Sequence, residues 1–150
     1  MIQFRNQTPS PVSLLVVDDD DVDIMAIRRA MKKLGLENPI RTAHTGIEAL
    51  DVLRGGEQTE RIPSPYIIVL DLNMPMMDGI GFLDELRSDE ALRESVVFVL
   101  STSDSQEDMH RAYRRNVAGY IVKARRADAY TDALRMLETF CSVVELPHAV

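Results

Sequence analysis

Cysteine occurs once, at Cys141, so no internal disulfide can staple the fold. Nothing nearby marks a reactive thiol, and a position on a late helix suits core packing better. Cations are short as well: 17 Lys and Arg against 24 Asp and Glu leave a net charge of −7. No basic excess is available to neutralise phosphates, which argues against general nucleic-acid binding. No apolar run is long enough to span a bilayer. Residues 1–12 carry Pro9 and Pro11 among polar residues with no hydrophobic signal core, and read as an irregular lead-in. These absences predict a cytoplasmic protein without membrane or nucleic-acid partners. Internal repeats, low-complexity segments and interdomain linkers are missing too, and no glycine-rich phosphate loop appears. What remains is 150 residues, 45% hydrophobic and 27% charged. That is one domain's worth of chain, able to bury roughly 70% of its unfolded surface without a metal or disulfide.

Short apolar runs alternate with longer amphipathic stretches. The first run, Val12 to Val17, stops at four aspartates, and a helical face of Ile24, Ile27, Met31 and Leu34 follows, closed by Gly35. A weaker strand covers Ile40 to Ala43. Thr45 and Glu48 have capping-box spacing, in which each side chain is expected to bond the other's backbone N–H. The helix they open is expected to turn Ile47, Leu50 and Leu53 inward. A loop rich in Gly and Pro reaches Pro65, and Tyr66 to Leu70 is a continuous apolar strand ending at Asp71. Phe82, Leu83 and Leu86 mark the third helix, Val96 to Leu100 the fourth strand, and Met109, Ala112 and Tyr113 the fourth helix. Gly119 to Val122 is the fifth strand. The last helix carries Tyr130, Ala133, Leu134, Leu137, Phe140 and Cys141. Five such units predict an α/β fold: a doubly wound five-stranded parallel sheet in flavodoxin-like order 2-1-3-4-5, with helices on both faces.

The ends of the strands carry the chemistry. The first ends in Asp18 and Asp19, the third in Asp71, the fourth in Ser101 and Thr102, the fifth in Lys123. Ligands of open α/β sheets bind outside the carboxyl ends of the strands where the order reverses, so the three aspartates should converge. Two carboxylates about 4 Å apart repel by roughly 4 kcal/mol at an effective dielectric near 20. Either one takes a proton or a cation sits between them. An all-oxygen ligand set with room for water suits Mg²⁺, whereas His44, His110 and His148 lack metal-site spacing and read as surface or packing residues. A carboxylate beside Mg²⁺ can act as a nucleophile toward phosphorus, with Lys123 and the Ser101 hydroxyl as donors to the phosphoryl oxygens. Other acids have a plainer reading. Asp20, Asp21 and Asp23 suit a cap and the positive end of the first helix, and Asp78 before Gly79 suits a cap or turn. Met74, Met76 and Met77 read as loop packing.

These residues resemble the receiver domains of two-component response regulators. The resemblance runs from about Leu14 to Cys141. It is carried by Leu-Leu-Val-Val-Asp-Asp (14–19), Val-Leu-Asp-Leu-Asn-Met-Pro-Met-Met-Asp-Gly (69–79), Val-Leu-Ser-Thr-Ser (99–103) and Gly-Tyr-Ile-Val-Lys (119–123). It implies a receiver domain over 13–143 with a short tail over 144–150, and Asp71 as phosphoacceptor for a sensor histidine kinase. It implies Asp18, Asp19 and Asp71 as Mg²⁺ ligands, with the Asn73 backbone carbonyl as another. Ser101 becomes the switch hydroxyl with Thr102 beside it, Tyr120 the switch aromatic, and Lys123 the phosphate-contacting cation. The loop before the third strand, the run 113–123 and the ending Phe-Cys-Ser-Val-Val-Glu-Leu-Pro (140–147) are similar to phytochrome-associated response regulators. Members of that group commonly dimerise through the face of the fourth and fifth helices.

The family usually has Pro after the lysine, and here Ala124 follows Lys123. A cis bond before a non-proline residue costs about 3 kcal/mol, so a trans bond and a retained strained turn are both open. Ala124 also leaves room for a pseudo-receiver that signals by binding alone. A phosphatase with an aspartyl intermediate would need a second acid just after the nucleophile, and position 73 is Asn. The expected protein is therefore a phosphoacceptor signalling domain and not a turnover enzyme. No DNA-binding segment follows the fifth helix, so direct transcriptional control is not expected.

Overall fold

A computed structural model describes residues 11–123 and 128–148. Ten elements alternate along it: β1 (Ser13–Val17), α1 (Asp21–Lys33), β2 (Ile40–Ala43), α2 (Gly46–Arg54), β3 (Tyr66–Leu70), α3 (Gly79–Ser88), β4 (Val96–Ser101), α4 (Gln106–Tyr113), β5 (Gly119–Val122) and α5 (Ala129–Val143). The strands pair in parallel in the order β2-β1-β3-β4-β5, as the alternating pattern predicts. β1 is buried along its whole length, which explains its unbroken apolar run: a central parallel strand has no solvent face.

Alternate strand residues feed two cores. Leu15, Val17, Ile68, Leu70, Val97 and Val99 pack under α2 and α3 against Leu53, Phe82 and Leu83. Leu14, Val16, Ile67, Val69, Phe98 and Leu100 pack on the other face against Ile27 of α1 and Leu134 of α5. Phe98 meets Phe140 edge-on, ring centroids 5.1 Å apart. Cys141 is half-buried against this second core, in keeping with a packing role.

Two local expectations need correction. Ile47 is 47% exposed rather than inward. The buried residues of α2 are Gly46, Ala49, Leu50, Val52 and Leu53; all but Val52 fall at the i, i+3, i+4, i+7 positions of one helical face, whereas repeated steps of three drift around the axis. Gly46 sits on that face because a Cβ there would meet the Met77 side chain at 2.9 Å. The capping box is also only half as expected. Thr45 Oγ1 accepts from the Glu48 N–H at 3.1 Å, but the Glu48 carboxylate accepts from the N–H of His44 at 3.0 Å. The same carboxylate faces the His44 ring at 3.7 Å, which favours that partner over Thr45.

Candidate functional site

The sheet order reverses between β1 and β3, and hydrogen bonds carry their ladder one residue past each strand. The Asp18 N–H donates to the Ala43 carbonyl and the Asp71 N–H to the Val17 carbonyl, both at 2.9 Å. Asp18 and Asp71 are thereby fixed side by side and buried, at 3% and 8% exposure, with Asp19 exposed beside them. Their carboxylate oxygens lie within 4.8 Å of one another. The loop after Asp71 folds back tightly: the Gly79 N–H bonds the Leu72 carbonyl at 2.9 Å. Any Cβ at Gly79 would lie 2.6 Å from the Asp71 carbonyl and the Leu72 Cα, so only glycine lets α3 begin there. Asp78 caps that helix, accepting from the Gly81 N–H at 2.8 Å, as its sequence position suggests.

Burial dominates the electrostatics. It pushes the Asp18 carboxyl up to about 6, against the Asp20 N–H and the Lys123 ammonium, and the Asp71 charge adds to the rise. Burial likewise raises Asp71, opposed by Lys123 and the Asn73 N–H and reinforced by Asp19 and Asp23. The Asn73 N–H reaches Asp71 Oδ1 at a long 3.4 Å. Two buried carboxylates held together and driven toward protonation are a site that a cation would relieve. The donors are all oxygen, with no imidazole or thiolate among them, which fits a hard divalent ion such as Mg²⁺.

Lys123 is buried at the end of β5. Its Nζ donates to Asp18 Oδ2 and Asp23 Oδ2, each at 2.9 Å. Burial disfavours its charge, but the hydrogen bonds to Asp23 and Asp18 outweigh that and raise its pKa. The plainer reading of Asp23 as a helix-end charge is therefore incomplete. Asp20 is the cap of α1, accepting from the Val22 N–H, and Asp21 pairs with His44 at 2.7 Å, but Asp23 faces the site. Its other oxygen accepts from the Tyr130 hydroxyl. Partial burial pushes the Asp23 carboxyl up, and the bonds from Tyr130 and Lys123 more than offset it, leaving it below the usual range.

On the β4 side, Ser101 is fully buried, and its Oγ accepts from the Ser103 N–H at 3.2 Å. The Ser103 carbonyl accepts from the Tyr120 hydroxyl at 2.9 Å, and the Ser103 Oγ donates to Asp108 of α4 at 2.6 Å. Thr102 is exposed between them. Met74 is buried, Met77 packs on the core, and Met76 is 85% exposed with φ 69. Ala124 lies outside the described residues.

The model of the response regulator receiver domain matches residues 14–135. The chain belongs to that family. A probable methanogenesis regulatory protein of Methanothrix harundinacea, FilR2, is 37% identical over 117 residues, covering 78% of this chain and 75% of its own. Response regulator Rcp1 of Synechocystis is 28% identical over 147 residues, 97% of this chain and all of its own. Its Mn²⁺-bound crystal structure superposes with a TM-score of 0.78 at 27% identity, over 91% of this chain and 99% of that one. The phosphorylated cyanobacterial phytochrome response regulator RcpA is 32% identical, with a TM-score of 0.79 over 91% of this chain and 99% of that one. The receiver reading and the likeness to phytochrome response regulators therefore both hold. No described helix is long and apolar enough to cross a membrane.

Proposed function

We propose that Asp71 accepts a phosphoryl group from the phosphohistidine of a sensor histidine kinase, phytochrome-like in type, in a Mg²⁺-dependent transfer in the cytoplasm. The observation that carries this reading is the convergence of Asp18, Asp19 and Asp71 beside a buried Lys123 and a buried Ser101 hydroxyl. Mg²⁺ held by Asp18, Asp19, Asp71 and the Asn73 carbonyl supplies charge neutralisation at the phosphoryl oxygens. An Asp71 carboxylate oxygen attacks phosphorus, the P–N bond to the kinase histidine breaks, and the imidazole departs with the electron pair. Lys123 and Ser101 then donate to the phosphoryl oxygens. The chain acts as a phosphoacceptor, with no turnover on other substrates.

The switch follows from the bonds already present. When Ser101 Oγ turns to the phosphoryl group, the Ser103 N–H loses its acceptor. Ser103 also holds the Tyr120 hydroxyl and Asp108, so the β4–α4 loop, Tyr120 and the start of α4 respond together, with Tyr120 moving inward. The α4–β5–α5 face then differs between states and meets a partner or second subunit.

Incubation with acetyl phosphate and Mg²⁺, read by intact-mass spectrometry, tests the transfer. A phosphoryl adduct is expected that requires Mg²⁺ and is absent from Asp71→Asn. An adduct that persists in that variant, or none in the parent protein, would refute the assignment.

A further inference from the structure

Lys123 is bound by two carboxylates at equal distance, 2.9 Å to Asp18 and 2.9 Å to Asp23. Only one of them belongs to the group of three acids that can share a cation. Both oxygens of Asp18 are already used, Oδ2 by Lys123 and Oδ1 by the Asp20 N–H at 2.9 Å. Each oxygen keeps a free lone pair, but a divalent ion on Asp18 would sit close to the ammonium on the same carboxylate, and the two cations repel. The ammonium cannot simply retreat to water: the Lys123 side chain is 6% exposed, and an unpaired buried charge is costly.

Asp23 offers it a second partner. Asp23 lies in the first turn of α1, with one oxygen on Lys123 and the other receiving the Tyr130 hydroxyl from α5. α1 and α5 cover the same face of the sheet, so the carboxylate is fixed from two elements at once. We propose that Asp23, pinned by the Tyr130 hydroxyl, is a positioning residue for Lys123. It keeps the ammonium paired when Asp18 turns to the divalent cation, and so strengthens Mg²⁺ binding without ligating the ion. The inference rests on the Mg²⁺-dependent reading above.

A mere charge effect predicts something different. The Asp23 carboxylate would attract a nearby cation whether or not Lys123 were present, whereas the positioning role requires the lysine. Mg²⁺ titration by calorimetry, on the parent protein, Asp23→Asn, Lys123→Met and the double variant, separates the two. Asp23→Asn is expected to weaken Mg²⁺ about tenfold, the low end for a residue that orients a metal site. In the Lys123→Met background the same substitution should have almost no effect. Tyr130→Phe, which keeps every charge, should weaken binding in the same direction by a smaller factor, again only when Lys123 is present. Thermal melts without Mg²⁺ identify any variant that fails to fold, and the Tyr130→Phe and Lys123→Met cycle then decides alone. Unchanged affinity in Asp23→Asn and Tyr130→Phe would overturn the role, as would equal losses with and without Lys123. A parent protein that binds no Mg²⁺ at millimolar concentration would instead overturn the proposed function itself, and this inference with it.

Discussion

Asp71 is poorly placed for its own stability. Burial raises its pKa, with Asp19 and Asp23 adding repulsion and Lys123 only partly compensating. A carboxyl whose folded pKa lies above its unfolded value binds a proton more readily in the native state, so its ionised form at neutral pH opposes folding. The isosteric amide of Asp71→Asn removes that opposition. Without Mg²⁺ the variant is expected to melt at a higher temperature than the parent at pH 7. Its advantage should shrink as acid protonates the parent's Asp71, and should reverse in Mg²⁺, which stabilises only a chain that binds it. At a hundredfold excess over Kd that stabilisation amounts to about 2.7 kcal/mol. An equal or lower melting temperature at pH 7 without Mg²⁺ would mean that the acid cluster stores no such strain. Asp18, Asp19, Asp71, Ser101 and Lys123 were legible in sequence because each ends a strand, and topology alone brings strand ends together. Asp23 was not. Its partner Tyr130 is 107 residues away, and nothing local distinguishes an acid facing Lys123 from one facing the helix dipole.

Elements were legible wherever hydrophobic period decided them, and less so where a loop or a glycine did. Ile47 carried the expected apolar signal, yet Gly46 holds the inward place because Met77 needs the room. The joint between α3 and the elements after it was likewise invisible, since besides the Arg115–Asp84 ion pair it rests on a guanidinium and backbone carbonyls. Arg87 donates to the carbonyls of Arg93, Ser95, Arg115 and Asn116 at 2.7 to 3.0 Å. It thus ties α3 to the approach to β4 and to the turn between α4 and β5. Burial alone lowers its pKa, and no carboxylate shares in these bonds. Arg87→Met keeps much of the aliphatic stem and strands the carbonyls. Charged hydrogen bonds are worth about 1.5–3 kcal/mol, and partial access to water limits the sum, so a loss of about 2–3 kcal/mol is expected in urea denaturation. A loss below about 0.5 kcal/mol would show that water replaces the guanidinium at little cost.

At the scale of the whole molecule the β5 edge of the sheet is marked by the surface beside it. β5 closes one side of the sheet with all four of its residues only half-buried. The surface beside it is a groove lined by Met109, Tyr120, Ile121, Val122, Asp132 and Met136, with Met136 38% exposed. An apolar edge of this kind invites a partner, and it adjoins the loop in which Ser103 links Ser101 to Tyr120. Phosphorylation at Asp71, if it occurs as proposed, should therefore act on the shape of this face, and a second copy of the chain is the partner that the resemblance in sequence leads one to test. A stable dimer needs about 800 Å² from each subunit, more than the groove alone, so α4 and α5 must both contribute. Sedimentation with and without acetyl phosphate and Mg²⁺ is expected to show a shift toward dimer on phosphorylation. Met136→Glu should suppress the shift while the mass spectrum still shows the phosphoryl adduct, because Met136 lines the groove beside β5 whereas Asp71 follows the end of β3. A variant that takes up phosphate and still dimerises as the parent does would move the interface elsewhere. A parent protein that stays monomeric in both states would leave the face to a different protein.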